Sequence, residues 1–306
     1  MTRPVVAIVG PTASGKSDLG IAIALARGGE VVNLDASQVY RGMDIGTAKV
    51  PAADRRGVPH HLLDVLEVHE TASVAEFQGL ARAAINEVRG RGHLPVCVGG
   101  SGLYVRAVLE DLDFPGTDPA VRAALEAELA AVGAAAMHAR LAAVDPAAAA
   151  AILPGNTRRV VRALEVIAIT GRPFVATLPA HAQREPDVRI GLAVQREVLA
   201  QRIRTRVERM WQAGLVDEVR ALEARGLRAG LTASKALGYQ QVLAFLAGEC
   251  TEDAALEATV QGTMRFARRQ LQWFRRDPRI VWLPFDADDL VTQACALVDA
   301  ADPARP

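Results

Sequence analysis

The segment that restricts the fold most is residues 10–17, GPTASGKS, which directly follows the apolar run VVAIV at residues 5–9. Its spacing, G-x-x-x-x-G-K-[ST], predicts a strand, a glycine-rich loop and a helix that continues through residues 19–26. Backbone N–H groups in such a loop converge on phosphate oxygens at the positive end of the helix. We call residues 10–17 the phosphate loop, and we expect it to bind a di- or triphosphate.

Two side chains of the phosphate loop are candidates for direct chemistry. Lys16 supplies a positive charge to the phosphates, and the Ser17 hydroxyl can ligate Mg²⁺, so we expect Mg²⁺ as a cofactor with Ser17 as its ligand. The predicted diphosphate-binding residues of the loop are Gly10, Pro11, Thr12, Ala13, Ser14, Gly15, Lys16 and Ser17. The loop does not identify the reaction. A small-molecule kinase and a non-enzymatic RNA-binding module switched by a nucleoside triphosphate both use such a loop.

Length and composition indicate a compact protein with one large domain or two, since half of the 306 residues are hydrophobic. We find no apolar stretch that approaches the roughly 20 residues needed to cross a bilayer, and no signal-peptide pattern precedes the first strand. We therefore expect a cytoplasmic protein with no membrane partner, acting as a monomer. Three widely separated cysteines predict neither a disulfide framework nor a zinc site.

The order of predicted elements favours an α/β fold, a doubly wound parallel sheet that carries the phosphate loop, with an inserted α-helical subdomain. Two further strands end at Asp35 and at Gly99, so polar and glycine-rich segments collect at the carboxyl ends of the strands. Residues 118–153 are alanine-rich and helical in pattern. We assign residues 1–115 and 186–306 to a discontinuous core and residues 116–185 to a mainly helical insertion, which on composition alone could serve packing only.

The charge distribution permits a nucleic-acid partner although the formal net charge is zero. Positive charge is almost entirely arginine and is clustered along the chain. One cluster is Arg158, Arg159 and Arg162. The second consists of Arg265, Arg268, Arg269, Arg275 and Arg276. Such clusters fit contacts to phosphates of RNA.

A series of motifs in fixed order resembles the tRNA dimethylallyltransferases, also called tRNA isopentenyltransferases. The resemblance runs nearly from end to end of the chain. Its motifs are GPTASGKS at 10–17, DASQVYRGMDIGTAK at 35–49, VPHHLLD at 58–64, VGGSGLY at 98–104, RRVVRALEV at 158–166, ALGYQQ at 236–241 and RFARRQLQWFR at 265–275. The resemblance implies transfer of a dimethylallyl group from its diphosphate to the exocyclic amine of the adenosine 3′-adjacent to the anticodon, in tRNAs that read codons beginning with U.

The resemblance also implies the partners and the catalytic residues. The partners are dimethylallyl diphosphate and the tRNA anticodon stem-loop. Asp35 is the candidate general base, Lys16 stabilises the departing diphosphate, and Ser101 keeps a hydroxyl where the family usually has threonine. Asp35 could instead hold Mg²⁺ through water or cap a turn, and Ser101 could be a helix N-cap.

Further expectations come partly from the resemblance and partly from the residues themselves. The resemblance implies that Arg206 reaches the diphosphate, whereas Arg202 and Arg209 on the same helical face are expected to be solvated. The helical insertion is expected to contact tRNA. The residues expected to bind tRNA are Asp35, Ala36, Ser37, Gln38, Ser101, Arg158, Arg159, Val160, Val161, Arg162, Lys235, Gly238, Tyr239, Gln240 and Gln241. Trp273 and Phe274 are expected in the core, and His60 and His61 at the mouth of the active site or on RNA.

Overall fold

The computed structural model describes residues 3–174 and 184–302. The described residues form two compact units, one within Met1–Asp111 and Gln183–Pro306 and the other within Leu112–Ala182. The sequence predicts these boundaries after residue 115 and before residue 186. Each unit has its own hydrophobic core.

In the described residues, the first unit contains a six-stranded sheet in which all neighbouring strands are parallel. Its strands are β1 (Val5–Val9), β2 (Gly29–Asn33), β3 (His60–His61), β4 (Leu94–Val98), β5 (Asp187–Ala193) and β6 (Ile280–Pro284). The strand order is β3-β2-β4-β1-β5-β6, which places β1 inside the sheet between β4 and β5. The predicted α/β fold with a doubly wound parallel sheet is confirmed.

Helices connect these strands and form the whole of the regular structure that is described in the second unit. They are α1 (Lys16–Arg27), α2 (Val74–Gly90), α3 (Gly102–Leu109), α4 (Pro119–Val144), α5 (Pro146–Ala151), α6 (Thr157–Thr170), α7 (Arg196–Gln212), α8 (Leu215–Glu223), α9 (Tyr239–Leu246), α10 (Glu252–Phe274) and α11 (Leu290–Ala301). The helical pattern of residues 199–225 predicts one continuous helix across α7 and α8. The structure separates them at Gly214, whose φ of 95° ends the first helix in a conformation that favours glycine.

The sheet is covered on both faces, which explains why β1 reads as a continuous apolar run. Val5, Ala7 and Val9 belong to a core on one face that includes residues of α2 and α3. Val6 and Ile8 belong to the core on the other face, with residues of α1 and α11. Because β1, β2 and β4 are parallel, their carboxyl ends lie at one edge of the sheet, where ligands bind in open α/β folds.

The second unit is built around α4, which packs against α5 and α6 through Leu125, Met137 and Leu141. By length and composition alone α4 is apolar enough to cross a membrane, so our statement that no apolar stretch approaches this length was wrong. Alanine supplies most of that apolar character. Gly133, with φ 80° and ψ 171°, interrupts the helix, and each segment on either side is shorter than the roughly 20 residues that a membrane span needs.

Candidate active site

The phosphate loop joins the carboxyl end of β1 to the first turn of α1, as the sequence predicts. Gly10 and Gly15 have φ of 136° and 97°, and Gly15 is the N-cap of α1. Side chains are disfavoured there, so these two glycines give the loop its path. Gly10, Pro11 and Ser14 are buried, whereas Thr12, Ala13, Gly15, Lys16 and Ser17 are half-buried. The Ser14 Oγ is buried and has no hydrogen-bond partner among the described residues.

Lys16 lies in an electrostatic environment that favours the binding of an anion. Its Nζ donates a hydrogen bond to the Pro11 carbonyl at 2.6 Å. Burial and the nearby Arg206 guanidinium lower the pKa of Lys16 to about 7, while Asp35 acts in the opposite direction. A phosphate group bound beside Lys16 would offset both unfavourable contributions and hold the ammonium in its charged form.

Two arginines of α7 lie close to the phosphate loop and to Thr47. An Arg206 side-chain nitrogen donates to the Thr47 carbonyl at 3.4 Å. Burial lowers the pKa of Arg206, and Asp35 raises it. Arg202 donates to the Ala13 carbonyl at 2.7 Å and stacks over the Phe285 ring at 5.0 Å. Arg202 is exposed, as the sequence predicts, and in addition it contacts the phosphate loop.

Asp35 follows β2 and lies in a turn that fixes its carboxylate. Its Oδ1 accepts hydrogen bonds from the Ser37 N–H at 2.9 Å and from the Ser37 hydroxyl at 2.6 Å. Its own N–H donates to the Asn33 Oδ1 at 3.0 Å. Asp35 therefore caps a turn, which is one of the alternatives that the sequence left open for it. These contacts use Oδ1, so the turn does not engage the second carboxylate oxygen through Ser37.

Two cavities meet at these side chains. The larger, about 940 Å³, lies between the phosphate loop, residues 44–54 and the face of α7 that carries Arg202, Arg206 and Arg209. The smaller, about 70 Å³, is lined by Lys16, Asp35 and Arg206. Its apolar lining comes from Val31, Val50, Leu63 and Val98. A carboxylate, two cations and a small apolar wall therefore border one space.

Gln270 is a site residue that sequence reasoning missed. From α10 its Oε1 accepts from the Thr12 N–H of the phosphate loop at 2.9 Å, and its Nε2 donates to the Gly100 carbonyl at 2.9 Å. A Cβ at Gly100 would lie 2.3 Å from this Nε2, so any other residue there would displace the Gln270 side chain. The sequence carried a signal for this role. Ala267, Gln270 and Phe274 share the buried face of α10, where a polar side chain such as glutamine must have hydrogen-bond partners.

Ser101 occupies the N-cap position of α3 but makes no capping hydrogen bond there. The alternative interpretation of Ser101 as a helix N-cap thus holds for its position, while its hydroxyl is not used for capping. Gly102, the next residue, lies against the Trp273 indole, since a Cβ there would be 2.2 Å from the ring. Trp273 is half-buried against the core and Phe274 is buried, as expected.

Some of the residues expected to bind tRNA are exposed and others are packed inside the units. Lys235, Gln240, Arg158 and Arg159 are exposed. Ala36, Ser37, Gln38, Ser101, Arg162 and Gln241 are half-buried. Val160, Val161, Gly238 and Tyr239 are buried. The buried side chains present no surface to RNA, so we leave these four out of the RNA contacts proposed below.

Several of the half-buried residues have structural partners. Gln38 donates to the Thr47 carbonyl at 3.1 Å, and Gln241 accepts from the Gly238 N–H at 2.8 Å. Arg162 donates to the carbonyls of Pro115 and Gly116 at 2.5 Å and 3.1 Å and pairs with Glu165. Arg162 thus fixes the segment before α4 within its own unit, in addition to any contact with a ligand.

The His60–His61 pair forms β3 at the edge of the sheet. His60 lines the smaller cavity, and burial lowers its pKa. His61 Nε2 lies 2.6 Å from the buried carboxylate of Glu30. Across residues 3–174 and 184–302 no group of three or more histidine, cysteine or acidic residues is arranged to hold a metal ion.

The chain matches known proteins over nearly its whole length. The model of the IPP transferase family matches residues 38–277. The chain belongs to the IPP transferase family. Among curated members, the tRNA dimethylallyltransferase of Thermobifida fusca (strain YX) is 64% identical over 299 residues, covering 96% of this chain and 94% of that protein. That of Streptomyces coelicolor is 62% identical over 298 residues, covering 96% of both.

Solved structures of the IPP transferase family have the same fold. The tRNA isopentenylpyrophosphate transferase of Bacillus halodurans is 41% identical, with a TM-score of 0.73 and coverage of 98% of this chain and 96% of that one. A eukaryotic dimethylallyltransferase acting on tRNA is 25% identical with a TM-score of 0.84, covering 100% of this chain and 81% of that one. These structural matches therefore include both the phosphate loop and the motif RFARRQLQWFR, residues 265–275, of α10.

Proposed function

We propose that this chain transfers a dimethylallyl group from dimethylallyl diphosphate to the exocyclic amine of the adenosine 3′-adjacent to the anticodon, in tRNAs that read codons beginning with U. The observation that carries the proposal is the shared space bordered by Asp35, Lys16 and Arg206. A base beside a cation-lined diphosphate site suits substitution at an allylic carbon. Membership of the IPP transferase family gives no support to the kinase or the nucleotide-switched module.

The leaving group is stabilised by the phosphate loop and α7. The C–O bond of the donor breaks and its electron pair stays with pyrophosphate, so negative charge develops there. Lys16, Arg206 and the backbone N–H groups of the loop offset that charge in a partly dry site. The allylic fragment carries the complementary positive charge until the nitrogen of adenosine forms the new C–N bond.

Asp35 is proposed to take the proton that this bond formation releases. The exocyclic amine is a weak nucleophile because its lone pair is delocalised into the purine, and removal of a proton as the bond forms assists it. Ser37 holds Oδ1 at 2.9 Å and 2.6 Å, which orients the other oxygen. The Asp35 carboxylate also acts on the charge state of Lys16, so base and leaving-group site are electrostatically coupled.

The residues present fit Mg²⁺. Mg²⁺ prefers oxygen ligands and commonly binds through few protein groups together with substrate phosphates. Ser17 lies in the first turn of α1 and lines both cavities, and Asp44 and Asp54 line the larger one. When bound, Mg²⁺ supplies positive charge to the diphosphate. We propose Ser17 as its protein ligand.

In this proposal the tail of the donor and the phosphates of the RNA have separate environments. The branched five-carbon tail of the donor suits the apolar lining of the smaller cavity, from Val31, Leu63 and Val98. RNA phosphates are proposed to contact exposed basic residues, Arg158 and Arg159 in one unit and Lys235 in the other.

We further propose that the protein acts as a cytoplasmic monomer.

One assay separates the candidate functions. The protein is mixed with a tRNA anticodon stem-loop, Mg²⁺ and either dimethylallyl diphosphate labelled in the alkyl group or ATP labelled in the γ-phosphate. The proposal expects the alkyl label on RNA and no movement of the phosphate label. Transfer or RNA-dependent release of labelled phosphate, with no alkyl label on RNA, would favour a kinase or a switch.

A further inference from the structure

The carboxylate of Glu218 gathers four hydrogen-bond donors next to the candidate active site. From α8 its Oε2 accepts from the N–H groups of Asp44 and Ile45 at 3.0 Å and 2.7 Å. Its Oε1 accepts from the Gly46 N–H at 3.2 Å and from the Tyr239 hydroxyl at 2.5 Å. Three successive backbone N–H groups thus converge on one side chain. Such an arrangement of amides binds an anion, and here the anion belongs to the protein.

The segment that Glu218 holds forms part of the wall of both cavities. Asp44, Ile45 and Ala48 line the larger cavity, and Thr47 and Ala48 line the smaller one. Ala48 has φ 48°, which is uncommon for a residue with a Cβ and costs free energy unless its surroundings enforce it. The segment therefore depends on contacts from outside its own sequence.

The same segment carries the backbone atom that orients the diphosphate-binding arginine. The Thr47 carbonyl accepts hydrogen bonds from Arg206 at 3.4 Å and from Gln38 at 3.1 Å. Gly46, just before it, lies against the Tyr239 ring, because a Cβ there would be 2.5 Å from that ring. A continuous path of contacts thus leads from Glu218 through residues 44–47 to Arg206.

We propose that Glu218 is a positioning residue for donor binding, which fixes residues 44–48 and through the Thr47 carbonyl sets the orientation of Arg206. This inference rests on the proposed function. Glu218 touches neither substrate, so its effect passes through Arg206 to the diphosphate. Tyr239, which the sequence analysis assigned to tRNA, belongs instead to this support as a donor to Glu218.

A carboxylate can accept all four of these hydrogen bonds, whereas an amide cannot. Both oxygens of glutamate accept, and each of them serves two of the four donors. Glutamine has the same size, but its NH₂ group would face donors on one side and leave them without an acceptor. Burial and Glu218 raise the pKa of Tyr239 far above its usual range, so its hydroxyl remains a donor at every working pH.

The first test separates binding of the donor from binding of RNA. The variants are Glu218→Gln and Tyr239→Phe, with Asp217→Asn as the matched control, because Asp217 is an exposed carboxylate on the same helix whose ion-pair partner is Arg220. Steady-state rates are measured against dimethylallyl diphosphate and against the stem-loop. For Glu218→Gln we expect the KM for the donor to rise about tenfold and the KM for RNA to stay within about twofold. Asp217→Asn should match the wild type.

Tyr239→Phe decides whether Tyr239 acts through Glu218 or on RNA. If it supports Glu218, its removal raises the KM for the donor by a smaller factor than Glu218→Gln and leaves the KM for RNA unchanged. An increase confined to the KM for RNA would assign Tyr239 to RNA and remove it from this support.

Hydrogen exchange provides a readout of the positioning itself. Amides of residues 44–46 donate to Glu218, so their exchange should accelerate in Glu218→Gln while exchange of α2 stays at the wild-type rate. Faster exchange throughout the chain would show general loss of structure and overturn the local role. Normal exchange of residues 44–46 with an unchanged KM for the donor would also overturn it.

If the wild type transfers no alkyl group at all, the proposed function fails. If the wild type and Glu218→Gln both transfer the group normally, only this inference fails.

Discussion

The Asp35 carboxylate is the single side chain whose removal tests the chemical step. Asp35→Asn keeps the size of the side chain and the acceptor for Ser37 but removes the base. We expect kcat to fall by about 100-fold or more, with the KM for either substrate within about twofold, because a general base acts in the transition state.

Single-turnover rates measured at saturating donor and RNA give this comparison. Asp286→Asn, an exposed carboxylate in the same unit, is the control and should behave as wild type. A variant Asp35→Asn with a normal rate of transfer would mean that another group, or solvent, accepts the proton.

Lys16 links donor binding to proton uptake. In the protein without ligand its pKa is about 7, because burial and Arg206 disfavour the charged form. A bound diphosphate raises that pKa, so at pH 8 binding should take up about one proton, and affinity should decrease as the pH rises above 7. Calorimetry of donor binding in two buffers with different ionisation enthalpies measures the uptake.

The Lys16→Met variant is the control for this proton. It keeps the apolar stem and removes the titrating group, so any uptake that remains belongs to the diphosphate itself. Equal proton uptake by the wild type and Lys16→Met would show that Lys16 is already charged before the donor binds.

At the scale of helices and strands, periodicity in the sequence predicted local structure well. The helical pattern of residues 157–170 predicts the bounds that α6 has, and glycine at position 133 predicts the break observed within α4. β3 was missed because two residues are too short for a pattern. Gln270 and Glu218 were missed as site residues because their backbone partners lie 170 to 258 positions away in the chain. A sequence shows a side chain's type, and only the fold shows which distant amide it meets.

The exposed arginines at the start of α6 test RNA binding at the scale of one element. The variant Arg158→Gln with Arg159→Gln should weaken stem-loop binding and reduce the slope of log affinity against log salt by about one to two, since each phosphate contact in single-stranded RNA contributes about 0.7. Equilibrium binding is measured from low to moderate salt. Arg140→Gln, on α4 of the same unit, is the control. An unchanged slope in the double variant would assign these arginines to a solvated surface.

At the scale of the whole molecule, the phosphate loop predicted the sheet type and the edge that carries the site. The strand order required the structure, because the sequence does not tell on which side of β1 the later strands pair.

The first unit contains a buried ionic group centred on Glu110. Glu110 is fully buried and pairs with Arg106, Arg189 and Arg279.

Glu110→Gln should lower the free energy of unfolding by about 3 kcal/mol or more, because it removes the buried negative charge that Arg106, Arg189 and Arg279 share. Urea unfolding of the variant and of Glu249→Gln, an exposed control, measures the loss. Equal stability of Glu110→Gln and the wild type would show that the remaining carboxylates, Asp187 and Asp277, suffice for these arginines.

The most direct measurement of the central claim is transfer of a labelled dimethylallyl group to two anticodon stem-loops that differ in one base. One carries adenosine beside the anticodon, and the other carries inosine, which lacks the exocyclic amine. We predict that the adenosine stem-loop gains the label and a mass increase confined to that nucleotide, that the inosine stem-loop binds with similar affinity but gains none, and that ATP is neither needed nor hydrolysed. Alkylation of the inosine base, or transfer that requires ATP hydrolysis, would contradict the account.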